Sequence, residues 1–412
     1  MVLFENPDVK SAERKSMFPI GDAVTPADLH RDPYPVLAKL QDQEPVSWIR
    51  SLNMWYVTRY EDVRAILMDS DTFTTAFTES LIYDTFGENM LTADGERHKH
   101  LRLPVRHSFT AGTVRSKYEA GIRELARELV VPLREHGHLE MRSAVASRLP
   151  IQTMLMVFGI PISAEAQMRA WYDDFEAALS NFTREPSIRD AARTSVGEFG
   201  GFIDETVETI QSAAGADQDS LLSLLVNAPP DRALSEDEIR RNLAIIFFGG
   251  ISTVEALILN SLWALFEHPE IRARAVADPG LLASIVDETI RWHSPVQSAT
   301  RSVVRDTSIA GVDLAEGEIV NAMLGAANRD PAVFPDPSRF DPQRSNLRQH
   351  LGFATGPHSC LGMHLAKAEA RILLEVILAE LPDLEIDRQS STGPEGYEFH
   401  QPRRLSVTWR PR

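Results

Sequence analysis

Cysteine is the scarcest residue here: one, Cys360, in 412 residues. A lone cysteine cannot close an internal disulfide, so nothing in the sequence asks for an oxidising compartment. Positive charge is short as well. Lys and Arg number 42 against 59 Asp and Glu, a formal net charge of −17. That weighs against general binding to nucleic acid or an anionic membrane, although a local basic face is compatible with it. The opening residues 1–20 are polar and read as an N-terminal arm, with 21–412 as one large domain. They hold no basic leader followed by an apolar run, and no uncharged apolar stretch of spanning length. The expectation is therefore no secretory signal, no membrane anchor and a cytoplasmic protein. There is no internal repeat, no phosphate-cradling glycine loop and no flavin or iron–sulfur module, so any redox chemistry would draw electrons from a separate protein. What is present is ordinary for a globular chain: 43% hydrophobic and 25% charged residues, enough to bury a sizeable core.

The cysteine sits in Phe353–Gly362, FATGPHSCLG, just before an amphipathic stretch from His364 to Leu381. Gly356 and Pro357 can turn this loop tightly. A helix start beside Cys360 supplies free N–H groups and partial positive charge, which favour thiolate over thiol. A thiolate in a rigid loop suits an axial iron ligand. An isolated cysteine more often is a small buried hydrophobe, but the surrounding pattern reverses that preference. Phe353, Gly356, His358, Cys360 and Gly362 match Phe-Gly-x-Gly-x-His-x-Cys-x-Gly, so the segment resembles the heme-binding loop of the cytochrome P450 family. Ala354 departs from the pattern where a glycine is usual, and its Cβ disfavours a positive φ.

The resemblance extends over about residues 30–410 and implies a mainly α fold with a smaller β region, in a single large domain. Val46–Ile49 and Trp55–Thr58 read as a hairpin around Ser51-Leu52-Asn53. Asp94–Phe109 reads as a helix with His98 and Arg102 on one face. In the family such a His-x-x-x-Arg pair, with Arg301 and His358, binds the propionates of heme b. Arg97, Lys99 and Arg106 add charge that the resemblance assigns to docking of an electron donor, a ferredoxin or a flavin/iron–sulfur reductase; a solvated face is the plainer reading. Met168–Gly215 reads as helical, and the resemblance implies that it is the mobile helix pair over the pocket. His136 and His138 have no partner at metal-ligand spacing and read as loop residues.

Ser235-Glu236-Asp237-Glu238 is a capping-box start. From it one long helix is expected to reach about Glu267, with Gly249 and Gly250 in its middle. Two glycines there cost about 1 kcal/mol each relative to alanine, which suggests close approach of a flat group. The family pattern [Ala/Gly]-Gly-x-[Asp/Glu]-Thr assigns Gly250, Ser252 and Thr253 to oxygen handling. Ser252 stands where the family has its proton-relay acid. Thr253 could instead simply bond the Gly249 carbonyl. Glu288 and Arg291, three apart on one helix face, are expected to form a structural network with Arg339 of Pro337-Ser338-Arg339-Phe340. An aromatic-rich irregular loop over Thr72–Ala93 is expected to help roof the pocket. Phe73, Phe86, Phe182, Ile246, Gly249, Val296 and Phe399 are the candidate substrate-lining residues.

The resemblance thus implies a heme-thiolate monooxygenase that inserts one atom of O2 into a small apolar or aromatic molecule, by hydroxylation or O-dealkylation. The run from Ser298 to Leu314 is similar to members that demethylate aromatic ethers. Two alternatives stay open: a peroxide-driven or atypical enzyme, prompted by Ser252, and a heme sensor or carrier without catalysis.

Overall fold

The structure is a computed structural model that describes residues 17–181, 183–212 and 219–412. Helices dominate, and the strands form four small sheets among the described residues. The largest sheet has five strands in the order Val46–Ile49, Met54–Val57, Ile319–Ala322, Ala299–Val303 and Phe73–Thr74. Its first two strands form the expected hairpin, with Trp48 opposite Trp55 and Asn53 turning at φ 54°. Asparagine tolerates that left-handed conformation better than most residues. Arg301 lies opposite Val320 in this sheet. Of the arm, residues 17–20 are described. Phe18 is buried edge-on against Trp55 at 5.2 Å, and the N–H groups of Ile20 and Gly21 donate to Glu44. The chain is thus docked on the sheet from Phe18 onward rather than from residue 21.

The capping box forms as read: Ser235 and Glu238 exchange side-chain and backbone hydrogen bonds. The helix it starts is interrupted, however. Glu236–Gly249 and Ser252–Glu267 are separate segments, with Gly250 at ψ −1° and Ile251 at φ −111° between them. At the break the Thr253 hydroxyl donates to the Gly249 carbonyl at 2.8 Å, which offers that carbonyl a partner outside the helical ladder. The two glycines have different reasons. A Cβ on Gly250 would lie 2.8 Å from Met154 Sδ, whereas one on Gly249 would meet no atom within 4 Å. Met154 therefore packs closely against Gly250, where a side chain would have to displace it, while Gly249 is the one that borders open space. Taken as one span, Glu236–Glu267 is long and apolar enough to cross a membrane, but 83% of its most apolar window is buried inside the protein. It is the spine of the main hydrophobic core, which includes Leu243, Phe247, Ile258, Leu262, Leu373 and Ile377.

One other expectation changes: the loop over Thr72–Ala93 contains the strand Phe73–Thr74 and the helix Leu81–Phe86, capped by Ser80. The helix pair read from Met168 consists of Glu165–Leu179 and Pro186–Ser212, and Gly215 lies outside the described residues.

Candidate active site

Three backbone hydrogen bonds shape the cysteine loop: Ala354 N to Leu351 O, Ser359 N to Gly356 O, and Cys360 N to Phe353 O, at 2.8, 3.1 and 2.8 Å. Gly356 turns at φ +75°, and a Cβ there would stand 2.4 Å from the carbonyl oxygen of Leu67. Only glycine fits against the end of helix Tyr60–Met68. Ala354 does adopt the left-handed angle, φ 52°, so the turn is kept at the cost of backbone strain. Gly362 caps helix Met363–Glu380. Cys360 is accessible to solvent yet surrounded by protein, as a thiol on a cavity wall is. Burial pushes the thiol up; the N–H groups of Gly362 and Met363 and the nearby Arg102 oppose it. All three favour the thiolate.

Around the loop lies a cluster of cationic side chains short of carboxylates. Arg102 donates to the Ser359 carbonyl. Arg301, 6% exposed, donates only to the Thr300 carbonyl, and burial lowers it to about 10. His98 and His358 pack ring against ring at 4.3 Å. His358 donates through Nε2 to Asp94 at 2.7 Å; its Nδ1 and the buried His98 Nε2 have no partner among the described residues. Burial, with His358 and Arg102 nearby, lowers His98 to about 4. A buried polar atom without a partner costs about 1–3 kcal/mol, and here two of them sit beside two arginines. This donor set fits the two carboxylates of heme, with Cys360 available to its iron. Asp94 was not anticipated as a member. It also accepts from the Thr74 hydroxyl at 2.5 Å and the Thr75 N–H at 2.9 Å. Its place at the start of helix Gly95–Arg106 was the only signal in the sequence.

At the helix break, Gly249 borders open space and Thr253 is hydrogen-bonded to its carbonyl. Ser252 is 1% exposed, and its hydroxyl has no hydrogen-bond partner among the described residues. Glu255 does not substitute for an acid at 252: its carboxylate is 2.5 Å from Arg142 Nε and also accepts from Gln401.

Several expected pocket residues come together from distant segments. Phe86 packs on Phe248 and Phe175 at 6.1 and 5.1 Å, Phe248 meets Phe399 at 6.2 Å, and Phe399 bridges to Val296. Ile246 lies in the same core. Phe73 does not join them; it packs in the core beside the sheet, opposite Val303. Phe182 lies outside the described residues.

The structural network forms with a different arginine. Glu288 and Arg291 are fully buried and 2.7 Å apart, and Arg291 also donates to the carbonyls of Asn328, Pro337 and Arg339. The Arg339 side chain, however, is 70% exposed and turns to Asp341. Arg344 reaches Glu288 at 3.2 Å instead. Arg339 supplies a backbone acceptor, not the third charge. The basic face is also thinner than expected: Arg97 pairs with Glu88 and Glu238, and Lys99 with Glu96, leaving Arg106 exposed at the end of its helix.

Comparison with known proteins agrees with this geometry. The family model described as Cytochrome P450 matches residues 37–394. The chain is 33% identical to mycinamicin IV hydroxylase/epoxidase of Micromonospora griseorubida, covering 90% of this chain and 94% of that protein. It is 32% identical to cytochrome P450 monooxygenase PikC of Streptomyces venezuelae, over 87% and 86%. The crystal structure of CalO2 superposes with a TM-score of 0.87 at 26% identity, covering 95% of this chain and 99% of that one. The chain belongs to the cytochrome P450 family, with that family's fold: it is a monooxygenase whose cofactor is heme b.

Proposed function

We propose that this monooxygenase hydroxylates or O-dealkylates a small apolar or aromatic molecule, with electrons from a separate ferredoxin or flavin/iron–sulfur reductase. One observation carries the substrate class: Phe86, Phe175, Phe248 and Phe399 meet from four segments beside the helix break, with Val296 bridged to Phe399. Such a wall rewards burial of apolar surface and offers nothing to a strongly anionic ligand. The relative named as a hydroxylase/epoxidase supports oxygen insertion as the reaction class.

Heme held by a cysteine thiolate supplies the oxygen-activating chemistry. Cys360 is the thiolate, held by the turn at Gly356 and the N–H groups of Gly362 and Met363. His98, Arg102, Arg301 and His358 orient the propionates, and Asp94 fixes the His358 ring. The Thr253 hydroxyl donates once, to Gly249, and keeps its lone pairs to accept a proton or hydrogen bond. The exposed Arg106, beside the exposed Leu103, gives an acidic donor protein a contact on the cysteine side.

The reduced, carbon-monoxide-bound spectrum tests the thiolate, and absence of the red-shifted Soret band would sink it. Titration of the ferric protein with a panel of apolar, aromatic and anionic compounds tests the substrate class; a spectral shift confined to the anionic set would overturn it. Thr253→Ala is expected to lower product formed per electron pair, and unchanged coupling removes Thr253 from the mechanism. A second reading, peroxide-driven turnover, is favoured by the absent acid at Ser252 and is separated by comparing peroxide alone with an electron-donor pair.

A further inference from the structure

The segments that carry Val296 and Phe399 lie far apart in the chain, and three hydrogen bonds zip them together. The His400 N–H donates to the Pro295 carbonyl and the Gln297 N–H to the Glu398 carbonyl, both at 2.9 Å, and the Ser298 hydroxyl donates to the Glu398 carboxylate at 2.8 Å. One side chain from outside ties the pair to the long helix. Asn260, on helix Ser252–Glu267, is fully buried among Leu257, Ile258, Leu259 and Leu262 of its own apolar helix. An amide is costly there unless it is hydrogen-bonded. Its Nδ2 donates to the His400 carbonyl at 2.8 Å and to the His293 carbonyl at 3.2 Å. An amide nitrogen has two N–H donors, so both are spent, one on each segment. The rings beside these carbonyls are packed too: His293 stacks on His400 at 5.4 Å and 26°, and Tyr34 lies against both at 5.6 and 5.5 Å. Across the helix break, Phe399 packs on Phe248 at 6.2 Å. Asn260 and Thr253 are seven residues apart, so they share a helix face two turns, about 10 Å, from each other.

We propose that Asn260 is a specificity-determining positioning residue: it fixes the Val296–Phe399 wall relative to the Thr253 end of the helix, so that a substrate lying on that wall presents one face to the reaction. This rests on the reading of an apolar or aromatic substrate above and names what orients it. An apolar molecule has no hydrogen bond to set its direction, so only the rigidity of the surface it lies on can do so. Val296 and Phe399 supply that surface, but neither belongs to the long helix. Phe248 holds the wall on one side of the helix break and Asn260 holds it on the other. With both contacts the wall spans the break; with Phe248 alone it has a pivot. Asn260 touches neither substrate nor reacting atoms and acts only through the two carbonyls.

The test uses the holoenzyme with a ferredoxin, its reductase and O2. Ethylbenzene is the probe, because hydroxylation at its benzylic carbon gives two mirror-image alcohols whose ratio reads orientation. Asn260→Leu keeps a branched side chain and removes both donors. Asn260→Ala removes them and leaves room for a water to satisfy the two carbonyls without tying them to the helix, so it keeps the test open if Asn260→Leu does not fold. Wild type is expected to give chiefly one alcohol. In Asn260→Ala the ratio of the two should fall toward one, by roughly threefold or more, a modest share of what misplacement costs. Independently of turnover, hydrogen exchange should quicken in peptides spanning 293–300 and 396–402. Leu149→Ala, a truncation in the core on helix Arg148–Phe158, lowers melting temperature and leaves both readouts at wild type. Racemic product from wild type overturns the proposal. So does a wild-type ratio in Asn260→Ala, or a fall in the ratio that Leu149→Ala reproduces. A wild-type protein with the red-shifted Soret band whose ferric spectrum ignores ethylbenzene sinks the apolar-substrate reading itself, and the orientation of such a substrate with it.

Discussion

Replacing Gly356 by alanine isolates what holds the cysteine loop. Two costs add. Alanine at φ +75° pays about 1–2 kcal/mol for the left-handed backbone. Its Cβ would stand 2.4 Å from the Leu67 carbonyl oxygen and 3.2 Å from Met68 Cα, both backbone atoms that cannot rotate away, so the loop or the helix end must shift for about 1–3 kcal/mol. The expected destabilisation is about 2–5 kcal/mol, read by urea or thermal unfolding of the purified protein together with heme content. Two controls fix the interpretation. Ala354→Gly relieves about 1–2 kcal/mol of strain at φ 52° but frees the unfolded chain by about 0.4–1 kcal/mol, so it should stabilise by between about 0 and 1.6 kcal/mol. Gly362→Ala meets no atom within 4 Å and should stay within about 0.5 kcal/mol. A loss below about 1 kcal/mol in Gly356→Ala, or an equal loss in Gly362→Ala, would refute the reasoning.

Arg344→Met leaves Glu288 with one of its two arginines and should cost about 2–4 kcal/mol, somewhat below the loss of a whole buried pair; Arg339→Ala should cost no more than about 0.5 kcal/mol, and the reverse order in denaturation would restore Arg339 to the network. Arg106→Glu is expected to slow reduction by a ferredoxin on the order of tenfold at low salt while leaving dithionite reduction unchanged, as followed by stopped-flow absorbance. In the heme-free protein His98 is held down to about 4, chiefly by burial. The unfolded chain then takes up a proton that the folded one refuses, so stability falls as pH drops from about 6.5 toward 4. That slope should flatten in His98→Gln, and NMR of the imidazole should show the His98 titration moving up when heme carboxylates are present.

Much of the site was legible because it is carried by local pattern. The cysteine loop, the His98–Arg102 spacing and the Glu288–Arg291 spacing are fixed by a few residues of neighbouring chain; His98 stacks on His358 of that loop, Arg102 donates to its Ser359 carbonyl, and Glu288 pairs with Arg291. The Ser235 capping box is local in the same way. What failed was any choice between neighbours that only distant contacts resolve. Arg339 and Arg344 are both plausible partners for a buried carboxylate, and the path of the loop sends one to solvent and the other inward. Gly249 and Gly250 look equivalent in a helix, but Met154 lies against one and open space against the other.

Local pattern in the sequence therefore carried the candidate chemistry: one cysteine in a turn that Gly356 permits, beside a helix start, with cations at spacings that share a face. The tertiary structure decided the wiring. Asp94 orienting His358, and Phe248 joining Phe86 to Phe399, across more than 150 residues of chain, depend on how helices and sheet pack. Periodicity says which side of an element is buried; only packing says which buried side chains face one another.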